Sequence, residues 1–175
     1  MSDKLIVAFD FASLAEAEKT VKQVSPAAKI FKVGKELFTV AGPAAVEMVH
    51  SHGGKVFLDL KFHDIPNTVA SACEAAARMG VFMMNVHALG GKNMMIAAVQ
   101  AVHKAAEETK KPAPKLLAVT VLTSMKDADL KEVGVTKKVS KQVEDLTVLA
   151  KNCGVDGVVA SGQEISLIRK AAGKD

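Results

Sequence analysis

Hydrophobic and polar positions alternate along this chain between two periods. Residues 5–9, Leu5-Ile6-Val7-Ala8-Phe9, are continuously apolar and stop at Asp10, a pattern that predicts a strand buried on both faces, as in a parallel sheet. Helical spacing follows at once. Ser13 with Glu16 three residues on makes a capping box, and Leu14, Ala17, Val21 and Val24 fall on one stripe. Further strands are predicted at 29–33, with Gly34 opening the turn; from 55 into the charged stretch at 59–61; and at 81–86, 115–122 and 155–160. Between them, helices are predicted from near Pro43 to the Gly53-Gly54 stop, from Pro66 through Ala70, Cys73 and Ala77 to Gly80, and from Gly90-Gly91 to about 109. A polar stretch after Thr123-Ser124 has room for one short helix, and two more are expected at about 139–153 and 164–172.

Six successive strand-then-helix units argue for a parallel sheet with its helices outside. No Gly-x-Gly-x-x-Gly follows the first strand, which weakens a dinucleotide-binding open sheet. Polar residues stand instead at the carboxyl end of nearly every strand: Asp10, Lys32, Asp59, Lys61, His87 and Thr123. That ring suits a (β/α)8 TIM barrel with its site at the carboxyl face. Such a barrel has eight strands and typically ~250 residues, so the 175 residues read as one incomplete barrel domain, 1–175, supplying about six units of a longer protein.

Composition narrows the range of functions. At 49% hydrophobic with no Trp or Tyr, the core is aliphatic and methionine-rich, and there is little with which to build an aromatic stacking platform for single-stranded nucleic acid. The net charge of +4 comes from scattered lysines. It describes a solvated surface ahead of a mild electrostatic preference for an anionic small molecule. Cys73 and Cys153 are too few and too far apart for a disulfide framework or a zinc motif, and the short apolar run after Met1 is neither a signal peptide nor a span. A cytoplasmic protein with reduced, buried thiols is expected.

The chemistry concentrates at Asp59-Leu60-Lys61-Phe62-His63-Asp64-Ile65-Pro66-Asn67-Thr68. Pro66 blocks continuation of the strand, and the two-residue period puts Asp59 and Lys61 on one face, with Asp64 on the turn beyond. Lys32, Asp59, Lys61 and Asp64 together could hold one another ionised in a partly dry pocket. They could equally be an ion-pair network that orients strand ends, but charges are costly to bury for stability alone, which favours a chemical role. His87 reads as an internally satisfied strand-end histidine ahead of a catalytic one. His63 reads as supporting, and His50, His52 and His103 lie on predicted helices without ligand spacing. Gly90-Gly91-Lys92 is no P-loop, because Val86 stands where that motif requires glycine.

The stretch at 59–68 resembles the signature of the orotidine 5'-monophosphate decarboxylases, which form UMP in pyrimidine synthesis. The resemblance extends through Ala8-Phe9-Asp10-Phe11, Phe31-Lys32-Val33-Gly34, Asn85-Val86-His87-Ala88 with Gly90-Gly91, 119–124 and Asp156-Gly157-Val158-Val159. An Asp-x-Lys-x-x-Asp core alone is shared with sugar-phosphate decarboxylases and aldolases of the same superfamily; the His-Asp-Ile-Pro-Asn-Thr continuation is more specific. The resemblance implies decarboxylation at C6 of the pyrimidine with no metal or organic cofactor. It makes Lys61 the proton donor, sets Asp59 against the substrate carboxylate, and completes an alternating array with Lys32 and Asp64. It further implies that Asp10 binds the ribose, that Thr123 (or its neighbour Ser124) lies near the pyrimidine, and that Asp64, Ile65 and Thr68 reach the neighbouring site of a homodimer. The family's phosphate grip follows its seventh and eighth strands, beyond the six units expected here, which leaves open an inactive chain that only binds nucleotide. Phe82 stands where relatives often carry a polar residue, a difference that concerns packing.

Overall fold

The computed structural model describes residues 2–173. The strands are β1 (Ser2–Phe9), β2 (Ala28–Gly34), β3 (Lys55–Phe62), β4 (Met83–His87), β5 (Lys115–Val119) and β6 (Gly157–Val159). The helices are α1 (Leu14–Val24), α2 (Lys35–Ala41), α3 (Ala44–Ser51), α4 (Pro66–Arg78), α5 (Gly91–Thr109), α6 (Asp127–Glu132), α7 (Val139–Asn152) and α8 (Ile165–Ala172). All six strands are parallel and lie side by side in chain order. Parallel crossovers are right-handed, so a sheet that advances one strand at a time in one direction carries every helix on the same face. A doubly wound sheet would reverse its order at a switch point. The chain therefore forms an arc of a (β/α) barrel, as its polar strand ends led us to expect.

Apolar stripes seat the helices on the sheet. Ala17 and Val21 of α1, Val69, Cys73 and Ala76 of α4, and Met94, Met95, Ala98 and Val102 of α5 are buried in one core with Phe9, Phe31, Leu58, Met84 and Leu116 of the strands. The small side chains of α4 and α5 let these helices pack closely, and Arg78 crosses between them to pair with Glu108. Both cysteines are free and buried, and burial pushes the Cys73 thiol up to about 12. Among the described residues, no helix is long and apolar enough to cross a membrane.

Four local expectations change. The helix predicted from Pro43 is preceded by an unforeseen one, α2, because Gly42 at φ +57 turns the chain before Pro43 restarts it as α3. β4 begins at Met83 rather than 81. β6 has three residues, not six, and β5 accordingly stops at Val119 instead of 122. Beyond that point the backbone N–H and hydroxyl of Thr120 both donate to the Val159 carbonyl, closing the ladder. His52 lies just past α3 at its cap and pairs with Glu18 at 3.1 Å.

Candidate active site

The carboxyl ends of β1 to β4 gather one charged cluster, and strand register explains how. Phe9 pairs with Val33, and Gly34 with Asp59, so Asp10 and Asp59 flank Gly34 at the same level. Lys32, two residues earlier on the face it shares with Gly34, extends into the space that Gly34 leaves. Its Nζ lies 3.3 Å from Asp10 Oδ1 and 3.4 Å from Asp59 Oδ2.

β3 departs from regular pleating at this level. Leu58 pairs with Met84 and Phe62 with Val86, so Asp59, Leu60 and Lys61 together oppose the single residue Asn85. Such a bulge re-aims side chains next to functional sites. Lys61 takes up the excess with φ +54, a left-handed conformation that costs a non-glycine residue roughly 1–2 kcal/mol. Its Nζ then lies 2.6 Å from Asp59 Oδ1. Asp59 and Lys61 do meet, as their spacing predicted, but through a bulge rather than through plain alternation.

The hydrogen-bond groups that the bulge removes from the ladder are met by Asn85, which is fully buried. Its Oδ1 accepts from the Lys61 backbone N–H at 2.8 Å, and its Nδ2 donates to Asp59 Oδ1 at 2.6 Å. Asp59 is only 8% exposed. Burial by itself would raise its pKa, but the hydrogen bonds from Lys61 and Asn85, with the charges of Lys61 and Lys32, outweigh that and hold the carboxyl below its ordinary value. The cluster is thus an anion between two ammonium groups at the mouth of the arc.

His87, at the end of β4, is not internally satisfied: its Nδ1 is buried and meets no hydrogen-bond partner among the described residues. Its ring stacks at a tilt on His63, centroids 5.5 Å apart. Burial first, then the neighbouring His63, Lys35 and Lys61, holds His87 toward its neutral form.

The remaining sequence-predicted residues stand apart from this cluster. Asp64 is exposed, and its Oδ1 accepts from the Ile65 backbone N–H at 2.6 Å. Ile65 is 67% exposed and Thr68, on the first turn of α4, is exposed too. Thr123 lies in a turn four residues past the end of β5, also exposed. Two residues of the site carried no flag in the sequence reading. Asn85 had a usable signal, an uncharged polar residue inside an apolar strand, which must find buried partners. Gly34 had none, because it looked like the start of a turn. Among the described residues, no group of three or more His, Cys, Asp or Glu is arranged to hold a metal.

Comparison with known proteins identifies the family and the fold. The family model described as Orotidine 5'-phosphate decarboxylase / HUMPS family matches residues 3–175. The chain is 55% identical over 174 residues to the orotidine 5'-phosphate decarboxylase of Moorella thermoacetica, covering 99% of this chain and 69% of that protein. Among solved structures, an uncharacterized conserved protein from Geobacillus kaustophilus superposes with a TM-score of 0.90 at 40% identity, over 96% of this chain and 78% of that one. The orotidine 5'-phosphate decarboxylase of Lactobacillus acidophilus superposes with a TM-score of 0.86 at 36% identity, over 98% and 77%.

Proposed function

Since the chain belongs to the Orotidine 5'-phosphate decarboxylase / HUMPS family, we propose that it is a carboxy-lyase converting orotidine 5'-monophosphate to UMP, with Lys61 as the proton donor. The observation that carries this reading is the Lys61 ammonium held 2.6 Å from a buried carboxylate at the mouth of the barrel arc. In the reaction, the bond between C6 and the carboxylate breaks and carbon dioxide leaves. The electron pair stays on C6. An ammonium beside C6 stabilises that developing charge electrostatically and then gives up a proton to form the new C6–H bond. Lys61 is left neutral and regains its proton from solvent.

Asp59 serves twice in this scheme. It keeps Lys61 in place, and as a fixed anion near the substrate carboxylate it repels the negative charge there, a repulsion relieved as that charge moves onto C6 and neutral carbon dioxide leaves. Lys32 lies between Asp10 and Asp59, pairing with both, and leaves Asp10 at the rim for a ribose hydroxyl. Thr123 and Ser124, on the exposed turn after β5, are assigned to the pyrimidine side. No step draws on a metal or an organic cofactor.

The test is consumption of orotidine 5'-monophosphate, followed by its ultraviolet absorbance and by UMP formation in metal-free buffer. Lys61→Ala is expected to lose at least about 10⁴-fold in kcat, since both proton donation and charge stabilisation go with it. Turnover retained by that variant would remove Lys61 from the mechanism. Turnover of a sugar phosphate that depends on added magnesium would assign the chain to the other activity of the Asp-x-Lys-x-x-Asp superfamily. Nucleotide binding without turnover by the unaltered chain would make it a binding protein.

We also assign Asp64, Ile65 and Thr68 to the site of a second copy. Their support is position: all three are exposed around the start of α4, and Asp64 Oδ1 accepts from the Ile65 backbone N–H. Mixing inactive Lys61→Ala protein with inactive Asp64→Ala protein should then restore activity, because a hybrid dimer contains one site with both residues intact. Mixtures as inactive as their components would confine Asp64 to its own subunit.

A further inference from the structure

We propose that Asn85 is the positioning residue of this site: its carboxamide holds Lys61 in the left-handed backbone conformation and fixes which oxygen of Asp59 faces which lysine. The inference rests on the decarboxylase reading for its kinetic consequences and on geometry alone for its structural ones. Asn85 does not reach the reacting atoms in this scheme. It acts through Lys61 and Asp59.

The bulge in β3 leaves two demands at one place. The Lys61 N–H has turned out of the strand ladder and needs an acceptor, and Asp59 Oδ1, already receiving Lys61 Nζ, has to be held at a defined rotation. A backbone carbonyl could meet the first demand but not the second. A carboxamide meets both in one plane, with Oδ1 toward Lys61 N at 2.8 Å and Nδ2 toward Asp59 Oδ1 at 2.6 Å. Full burial removes water as a substitute for either bond. Chain direction reinforces the placement: β4 advances one strand from β3, and Asn85 is the single β4 residue between the two paired positions Met84 and Val86. With Oδ1 of Asp59 occupied by Lys61 and Asn85, Oδ2 is left for Lys32 at 3.4 Å. Alternation of charge across the cluster therefore depends on a neutral group behind it.

Two variants separate this role from ordinary core stability. Asn85→Leu keeps the branched shape, slightly enlarged, and removes both bonds. It should lower kcat by about 10²-fold with KM changed less than about threefold, the penalty of an ammonium displaced by roughly 1 Å. Asn85→Asp keeps the shape and sets two carboxylates side by side, a pair that holds one proton over a wide pH range. When that proton sits on the new carboxyl, its O–H donates to Asp59 and its carbonyl accepts the Lys61 N–H, which restores the native pattern. Its kcat relative to the unaltered protein should rise as pH falls, whereas Asn85→Leu should show no such recovery. A merely structural asparagine would move neither ratio with pH. Asn85→Leu retaining kcat within about threefold, or Asn85→Asp running parallel to the unaltered protein across pH, would overturn the proposal.

Amide hydrogen exchange of Lys61, on the full chain, decides the structural half without any assay of activity. Protection of that amide should be lost in Asn85→Leu and kept in Asn85→Asp at low pH. Protection unchanged in Asn85→Leu would overturn the proposal even with an active enzyme. If the unaltered chain fails to turn over orotidine 5'-monophosphate, the decarboxylase reading falls, and Lys61 exchange still passes or fails Asn85. Should Asn85→Leu not fold, the isosteric Asn85→Asp carries both measurements.

Discussion

A glycine can be required for what it omits rather than for how its backbone bends, and Gly34 is such a residue. Its φ of −90 and ψ of −177 are extended values that any residue adopts. What crowds a side chain is the ion cluster, since a Cβ there would press on Asp10 Oδ1 at 3.3 Å and touch Lys32 Nζ at 3.4 Å. Gly34→Ala should leave stability within about 1 kcal/mol, because alanine costs the unfolded chain some freedom and suits the strand. It should still push the Asp10 carboxylate by a few tenths of an ångström, disturb the Lys32 ammonium paired with it, and lower kcat/KM about 10-fold, a part of the roughly 10²-fold that a full 1 Å misplacement costs. Urea titration and steady-state kinetics on the same protein check the two halves, and unaltered kinetics would mean that Lys32 does not need this space. The charged members of the site, Asp10, Lys32, Asp59 and Lys61, were legible because charge at a strand's carboxyl end is conspicuous. Gly34 was not, because an omission has no hydropathy. Asn85 announces itself only when buried polar residues are treated as obligations to be met.

Among the elements, the strands built around a short apolar run were the easiest to place, and β1 to β4 overlap their expected positions for that reason. Boundaries failed where tertiary partners set them. β6 holds only Gly157–Val159 against β5, and hydropathy cannot see that a neighbour has run out, so Val121, Leu122 and Val155 kept an apolar look outside the strands. α2 was missed because Gly34 before it and Gly42-Pro43 after it look like one long turn, while the residues between them carry the stripe of a seven-residue helix. The bulge in β3 lies deeper still. A two-residue period predicts that Asp59 and Lys61 share a face and therefore reaches the right pair by the wrong path; nothing in the period reveals that Leu60 lies in a stretch where three residues oppose one. The element that does most for the chemistry is thus the one whose irregularity the sequence hides, and its irregularity is legible only from the register on either side of it.

At the scale of the whole molecule, the titrating groups buried by this fold make its stability a peaked function of pH. His87 and His50 are both held toward the neutral form. Burial is the first cause in each, helped by His63, Lys35 and Lys61 for His87 and by Lys111 for His50. The unfolded chain takes up protons on these rings near the ordinary histidine value of about 6.5, before the folded chain does. Stability rises with pH wherever the unfolded state binds more protons, so their contribution is complete above about 6.5 and is lost as pH falls through their lower folded values. Asp59 has the same sign in a lower window, its contribution present above about 3.9 and lost below. Cys73 works from the other side. Its folded value of about 12 lies above the ordinary thiol value of about 8.5, so the unfolded chain releases that proton first and stability falls as pH rises between the two, with Cys153 adding in the same sense. The urea midpoint should therefore be highest between about pH 7 and 8.5 and decline on both sides. Measuring from pH 5 to 8 isolates the histidines, because the carboxylates titrate below that range and the thiols above it. Replacing His87 and His50 together with glutamine should flatten this limb. A midpoint constant from pH 8 to 5 in the unaltered chain would show that the half-buried imidazoles open to water more cheaply than their surroundings imply, and the same slope in the double variant would move its origin to groups other than these two imidazoles.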